Sequence, residues 1–185
     1  MTAAVPSLVV TALLPDDLLA LNRAIGIIRR RNLDVTSIAL GPSGRPGLSR
    51  LSCLIVGEPA TTERMANQLR KMVGVAQVLV QPETDCTVRE HALVRVRVAT
   101  AHLAALFDTI ALYDALVVEE SPHELTIEMT GATTLVVSLL RALDPFGVLE
   151  VARGGALALS RPAESAADAP RLSAATFRLH SATSA

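Results

Sequence analysis

Strand-length apolar runs and helix-length amphipathic stretches follow one another twice, in the same order, along this chain. That repeat limits the folds open to it more than any single residue does. Residues 7–14 (SLVVTALL) form an apolar run stopped by Pro15, which predicts a buried strand. Asp16 and Asp17 then offer a cap to a helix in which Leu18, Leu21, Ile25 and Ile28 share one face. Asn32, which tolerates the left-handed closing conformation, ends it. Residues 33–40 read as a strand whose alternation slips at Thr36–Ser37, predicting a bulge. A Gly/Pro-rich loop, GPSGRPGLSR (41–50), leads into a strand where Leu51, Cys53 and Ile55 alternate with polar Ser52. Met65, Leu69 and Met72 mark a second helix, and 75–80 (VAQVLV) a fourth strand. The order is β-α-β-β-α-β, the ferredoxin-like split unit.

After a polar linker, 82–91, the rhythm restarts. Val94, Val96 and Val98 alternate with Arg95 and Arg97, a strand with one wet face. A helix is predicted over 102–114, strands over 115–120 and 124–130, and a helix face of Leu135, Val136, Leu139, Leu140 and Leu143 up to Pro145. Strands at 148–152 and 156–160 complete the set, with Gly154–Gly155 read as a turn between them. The expected architecture is α+β: tandem ferredoxin-like domains over 5–81 and 92–162. The Ala/Ser/Pro-rich segment 163–185 reads as a disordered tail. Units of this size are small for an independent core and gain by packing a sheet against a partner.

Composition narrows the function. Half of the 185 residues are hydrophobic, yet there are only one Tyr, three Phe and no Trp. Aliphatic side chains must therefore do the packing, and the aromatic platforms of base-stacking modules are missing. With 17 basic and 18 acidic residues the net charge is −1, so phosphate-backbone binding has little electrostatic support. The first apolar run is too short to span a bilayer, and neither a basic secretory n-region nor a transit-peptide arginine pattern precedes it. The expected location is the cytoplasm, with no membrane and no nucleic acid among the partners. Cys53 reads as a small buried hydrophobe and Cys86 lies far from it; no CxxC pair is present.

Searching for chemistry turns up little. Gly41, Gly44 and Gly47 resemble a phosphate loop, but no Lys-Ser/Thr follows on a helix. His91, His102, His123 and His180 are scattered rather than spaced as metal ligands. Glu119 and Glu120 are adjacent on a strand, so their side chains are expected on opposite faces, away from a shared acid–base site. Arg29, Arg30 and Arg31 suit a solvated helix end, where the dipole favours cations. No catalytic residue and no metal site is assigned.

One resemblance is specific. Residues 21–38, LNRAIGIIRRRNLDVTSI, resemble the segment L-x-R-x-x-G-L-F-x-x-R-G-[FY]-N-I-x-S-L of acetolactate synthase (acetohydroxyacid synthase) small subunits. Arg23, Gly26, Arg31 and Ser37 match, with Ile27, Ile28, Leu33 and Val35 as apolar equivalents. LSRLSCLIVG (48–57), VREHALVRVRV (88–98), SPHELTIEMTG (121–131) and LEVARGGALALSR (149–161) resemble further blocks in collinear order. The resemblance implies that the first half is an ACT domain, an amino-acid-sensing ferredoxin-like unit. It implies a non-catalytic regulatory subunit that forms a homodimer through its ACT halves and activates a large catalytic subunit. Thiamine diphosphate, Mg2+ and FAD are then expected in that partner, and no cofactor in this chain. A free-standing ACT sensor and a small enzyme on the same scaffold are the other readings.

The resemblance also implies an amino-acid effector, usually valine, bound at the ACT dimer interface. Here the family's N-x-x-G is Asp16-Asp17-Leu18-Leu19, so Leu19 stands where a glycine lets the ligand approach the backbone. Asp34 replaces a family asparagine at the start of the second strand, beside Val35. Asp16, Leu19, Asp34 and Val35 are therefore expected to form an altered effector site. In the loop 41–50, Arg45, Leu48 and Arg50 are the expected contacts to the catalytic partner.

Overall fold

The computed structural model describes residues 6–162. The tail reading of 163–185 and the start of the first domain at residue 5 lie outside them. The described chain divides into two compact units, residues 6–86 with 160–162 and residues Thr87–Leu159.

The first unit contains β1 (Ser7–Pro15), α1 (Leu18–Arg29), β2 (Asp34–Pro42), β3 (Leu48–Val56), α2 (Pro59–Arg70) and β4 (Gln77–Pro82). Its antiparallel sheet has the order β2-β3-β1-β4. Leu14, Leu51, Ile55, Met65 and Leu69 are among the side chains that fill the core beneath α1 and α2. β1 is buried on both faces, because Val9, Thr11 and Leu13 are covered as fully as Val10, Ala12 and Leu14. Ser52, the polar residue of the β3 alternation, is buried too, its hydroxyl without a hydrogen-bond partner among the described residues. The slip at Thr36 is a register shift between Val35 and Ser37.

Helix α1 is rolled relative to the expected face. Asp17 caps it, its Oδ1 accepting from the Ala20 N–H at 2.6 Å, but the buried residues are Ala20, Ala24 and Ile28. Leu18 is 83% exposed. Small alanines let the helix axis approach the sheet, and the bulkier Ile25 and Ile27 pack at the flanks. Asn32 does adopt the left-handed conformation (φ 47°) just past the helix.

The second unit repeats the plan with β5 (Cys86–Arg97), α3 (Leu103–Leu112), β6 (Leu116–Glu120), β7 (Glu124–Gly131), α4 (Thr133–Leu143), β8 (Val148–Arg153) and β9 (Leu157–Ser160). The sheet order is β6-β7-β5-β8, the same topology as the first. Val94, Val96, Leu106, Ile127, Leu139 and Leu143 are fully buried in its core.

Two expectations fail here. Residues 86–91 are not linker but the first half of β5, and only a single 3-10 turn (Glu83–Asp85) separates β4 from it. Their polar members Thr87, Arg89 and His91 are the exposed phase of a strand whose other phase, Cys86, Val88 and Glu90, is buried. Gly154–Gly155 is not a hairpin turn either, since β8 and β9 both pair with β5. The Gly154 N–H donates to the His91 carbonyl (2.8 Å) and the Arg161 N–H to the Asp85 carbonyl (2.9 Å). The glycines interrupt one long partner strand without reversing it.

Both cysteines are free and buried. Burial pushes the Cys53 thiol from 9.0 up to about 12, and Cys86 is raised by burial and by the nearby Asp85 and Glu83 carboxylates. A thiol that holds its proton more tightly in the folded state stabilises the fold fully below pH 9, and that contribution is lost as pH climbs toward 12. We expect no alkylation by iodoacetamide at pH 8 until denaturant is added, when both thiols should react. We expect unfolding midpoints to fall above pH 9; rapid native labelling of Cys53 would contradict the packing.

Candidate functional site

The β1–α1 turn is tied down from three sides. The Asp16 N–H donates to the Gly47 carbonyl (2.9 Å), the Asp16 carboxylate accepts from Ser49 Oγ (2.7 Å), and Asp17 caps the helix. Between this turn and the sheet lies a concavity of about 140 Å³, with Leu14, Leu21 and Leu40 as its apolar lining and Asp16, Asp17 and Ser49 as its polar one. Leu19, 57% exposed, is not part of the lining.

Asp34 and Val35 are elsewhere. Pro42 of β2 pairs with Ser49, at the end of β3 beside Asp16, whereas Asp34 pairs with Val56 at the other end. Eight residues of extended chain, roughly 25 Å, separate the two places within one chain. Val35 packs against the core. The four expected effector residues thus fall into two groups at opposite ends of the same sheet.

The expected partner loop is shorter than 41–50. Strand pairing runs up to Pro42 and resumes at Leu48, leaving a five-residue connection, Ser43–Gly47. Gly44 (φ 75°) and Gly47 (φ 72°) sit in the left-handed region, so these glycines serve the turn rather than a phosphate cradle. Ser43 Oγ donates to the Leu48 carbonyl at 2.6 Å and accepts from the Arg45 N–H at 3.1 Å, which fixes the connection. Arg45 is exposed at its tip, whereas Leu48 and Arg50 are half-buried within β3, Arg50 opposite Leu13.

In the second unit the helix-free face is laced with ion pairs. Arg95 meets Glu150 at 2.9 Å and Glu124 at 3.8 Å. Thr126 Oγ1 donates to Glu119 (3.2 Å), and His91 Nδ1 lies 3.0 Å from Thr130 Oγ1. A register shift between Val117 and Glu119 turns β6, so Glu119 and Glu120 line one open concavity with Arg95, contrary to strict alternation. Both are exposed, on a surface that water reaches. Among the described residues no group of three His, Cys, Asp or Glu side chains could hold a metal ion. No helix among them is long and apolar enough to cross a membrane.

Two family matches cover most of this architecture: residues 20–77 match the AHAS small subunit-like ACT domain, and residues 89–162 match the small subunit of acetolactate synthase. The acetolactate synthase small subunit of Mycolicibacterium smegmatis is 30% identical over 161 residues, spanning 87% of this chain and 95% of that one. That of Mycobacterium leprae is 31% identical over 84% of this chain and 92% of its own length. The solved acetolactate synthase small subunit of Thermotoga maritima superposes with a TM-score of 0.77 at 28% identity, over 85% of this chain and 98% of that one. This chain belongs to the acetolactate synthase small-subunit family. It is the regulatory, non-catalytic kind of subunit, and its family implies a separate large catalytic partner.

Within this small subunit, Asp34, Val35, Arg45, Leu48 and Arg50 fall inside the ACT match, while Asp16 and Leu19 precede it. Sequence reasoning missed an ion pair between a buried carboxylate and an exposed arginine that joins two of the family-like blocks. Arg153 grips Glu90 with two hydrogen bonds, Nε to Oε1 at 2.6 Å and Nη2 to Oε2 at 3.0 Å, across 63 positions of sequence. Glu90 is 4% exposed, and its hydrogen bond holds the Arg153 guanidinium above its usual pKa. The available signal was a phase error, an acidic residue on the apolar row of β5 between Val88 and Ala92.

Removing the arginine strands a buried carboxylate, the costly way to break such a pair. Arg153→Ala should destabilise the second unit by about 1–3 kcal/mol, the cost of leaving the Glu90 carboxylate without its partner, read as a lower urea midpoint. The double variant Glu90→Leu/Arg153→Leu should recover much of that loss. Equal destabilisation by both would contradict a pairing role.

Proposed function

We propose that this small subunit pairs with a second copy through its ACT unit, binds a thiamine-diphosphate-dependent catalytic subunit and raises its activity. Thiamine diphosphate, Mg2+ and FAD belong to that catalytic subunit on this reading, and the complex works in the cytoplasm. The observation that carries the pairing is the free edge of β2. It exposes Ile38 (41%) and Leu40 (44%) on a strand that, among the described strands, pairs with β3 on one side, the kind of edge that another strand completes. Two β2 strands meeting antiparallel about a two-fold axis place the start of each against the end of the other. Asp34 of a second copy then approaches the concavity beside Asp16 and Leu40. The two groups of effector residues, remote in one chain, become neighbours in the pair.

The same geometry supports a weak or absent response to valine. A helix N-terminus favours an anion by about 0.3–1 kcal/mol. A carboxylate about 4 Å from another costs about 1 kcal/mol in water and about 4 at an effective dielectric of 20. Here Asp17 already occupies the Ala20 N–H, with Asp16 beside it. Asp34 of the second copy would add a third negative charge. The effector's ammonium is welcome in such a site and its carboxylate is not.

Mixing with the catalytic subunit of the same organism should raise acetolactate formation severalfold, and titrating valine, leucine or isoleucine calorimetrically should give no micromolar binding. Leu19→Gly with Asp34→Asn should bring a valine response back. An unchanged rate in the mixture would refute activation; micromolar valine binding with matching inhibition would refute the altered pocket.

A further inference from the structure

The loop end of the first unit, where α1 begins, carries the two most exposed large hydrophobic side chains among the described residues, Val73 (88%) and Leu18 (83%). Isolated apolar side chains on a surface are ordinary, but these two stand on loops that are locked together. Gly74, with φ at 82°, packs so tightly on Pro15 that a Cβ there would come within 2.6 Å of the proline ring. The Ala76 N–H donates to the Leu13 carbonyl (3.0 Å), holding the α2–β4 loop against the end of β1. The Asp16 N–H to the Gly47 carbonyl joins the Arg45 connection to the same turn. Three loops therefore form one rigid platform.

Its charged groups are available. Arg45, at the hairpin tip, and Lys71, at the end of α2, take part in no ion pair among the described residues, unlike Arg64 and Arg70 of α2 itself. The opposite end of the unit makes the contrast. It has cations at Arg29, Arg30 and Arg31, but among the described residues no large hydrophobic side chain is exposed around them. Apolar anchors beside unsatisfied cations, held on a fixed backbone, are the composition of an energetic interface centre rather than of a solvated surface.

We propose that Leu18 and Val73, flanked by Arg45 and Lys71, form the docking surface for the catalytic subunit, entering an apolar hollow on it rimmed by carboxylates. The proposal rests on the activating-subunit reading above and moves the contact from the half-buried Leu48 and Arg50 to the loop platform. Charge complementarity chooses the occupant: the turn's carboxylates are taken up by Ser49 and by the Ala20 N–H, whereas Arg45 and Lys71 have no ion pair among the described residues and call for an acidic-rimmed hollow. The Asp16–Leu18 turn also lines the 140 Å³ concavity, so the concavity and the docking surface share one segment.

The test uses the full chain and the purified catalytic subunit of the same organism, with affinity read by biolayer interferometry at several salt concentrations. Leu18→Ser/Val73→Ser should weaken binding at least tenfold, and Arg45→Ala/Lys71→Ala should flatten its salt dependence. Leu112→Ser, an equally exposed leucine (79%) in the second unit, should change affinity less than twofold. Because the substituted side chains are exposed, melting temperature and the homodimer mass should not move. Wild-type affinity in the Leu18/Val73 variant overturns the docking surface and leaves the activating role standing. Loss of the homodimer in that variant overturns it too, by assigning Leu18 to the contact between copies. Failure of the wild-type chain to bind the catalytic subunit overturns both readings.

Discussion

The first unit depends on the burial of β1. This strand is hydrogen-bonded on one side to β3 and on the other to β4, with side chains covered on both faces from Leu8 to Leu14. Seven consecutive aliphatic or small residues can hold that position only if every backbone polar group is paired, and the two antiparallel neighbours provide that. With almost no aromatic side chains available, close helix–sheet contact has to come from alanine, which is why Ala20 and Ala24 rather than leucines face the sheet. The leucines displaced by that choice, Leu18 and Leu19, are left at the surface of the first helical turn.

A sheet built outward from its centre leaves its cost at the edges. Among the described strands β2 pairs with β3 alone, and its residues alternate between exposed and half-covered along the whole strand. The concavity under the α1 N-terminus opens beside the end of this edge, at Leu40. The two features that the proposed regulation uses, the β2 edge and the hollow beside it, are therefore consequences of one strand order. In the second unit the same order meets different side chains. Its helix-free face is bridged by Arg95 with Glu124 and Glu150, and the bond from Arg153 to the buried Glu90 carboxylate fastens β8 to β5.

Much of this was legible in the sequence because it depends on local spacing. The duplicated element order, the Asp17 cap, the bulge at Thr36 and the left-handed Asn32 all follow from rules that act within one element or one turn. What was hidden depends on the third dimension. The roll of α1 was set by how closely a helix can approach the sheet, which periodicity does not report. Residues 86–91 looked like a linker because Thr87, Arg89 and His91 are polar, although they are one phase of a strand. The interruption at Gly154–Gly155 looked like a hairpin because a glycine pair serves a turn and a strand irregularity equally well. Asp16 and Asp34 align to one effector site in the resemblance, and only the strand register shows that a single chain holds them at opposite ends of its sheet. Leu18 and Val73 lie far apart in sequence, and only the Gly74–Pro15 contact shows that their loops are joined.

The central claim is that the first sheet is finished by a second copy across β2. Sedimentation equilibrium at micromolar concentration tests it most directly, comparing the wild-type chain with Ile38→Lys/Leu40→Lys, a change confined to partly exposed positions on that edge. The account predicts a wild-type mass of twice 19.5 kDa and a variant at 19.5 kDa with an unaltered circular-dichroism spectrum. A wild-type monomer, or a variant that remains a dimer, would contradict it.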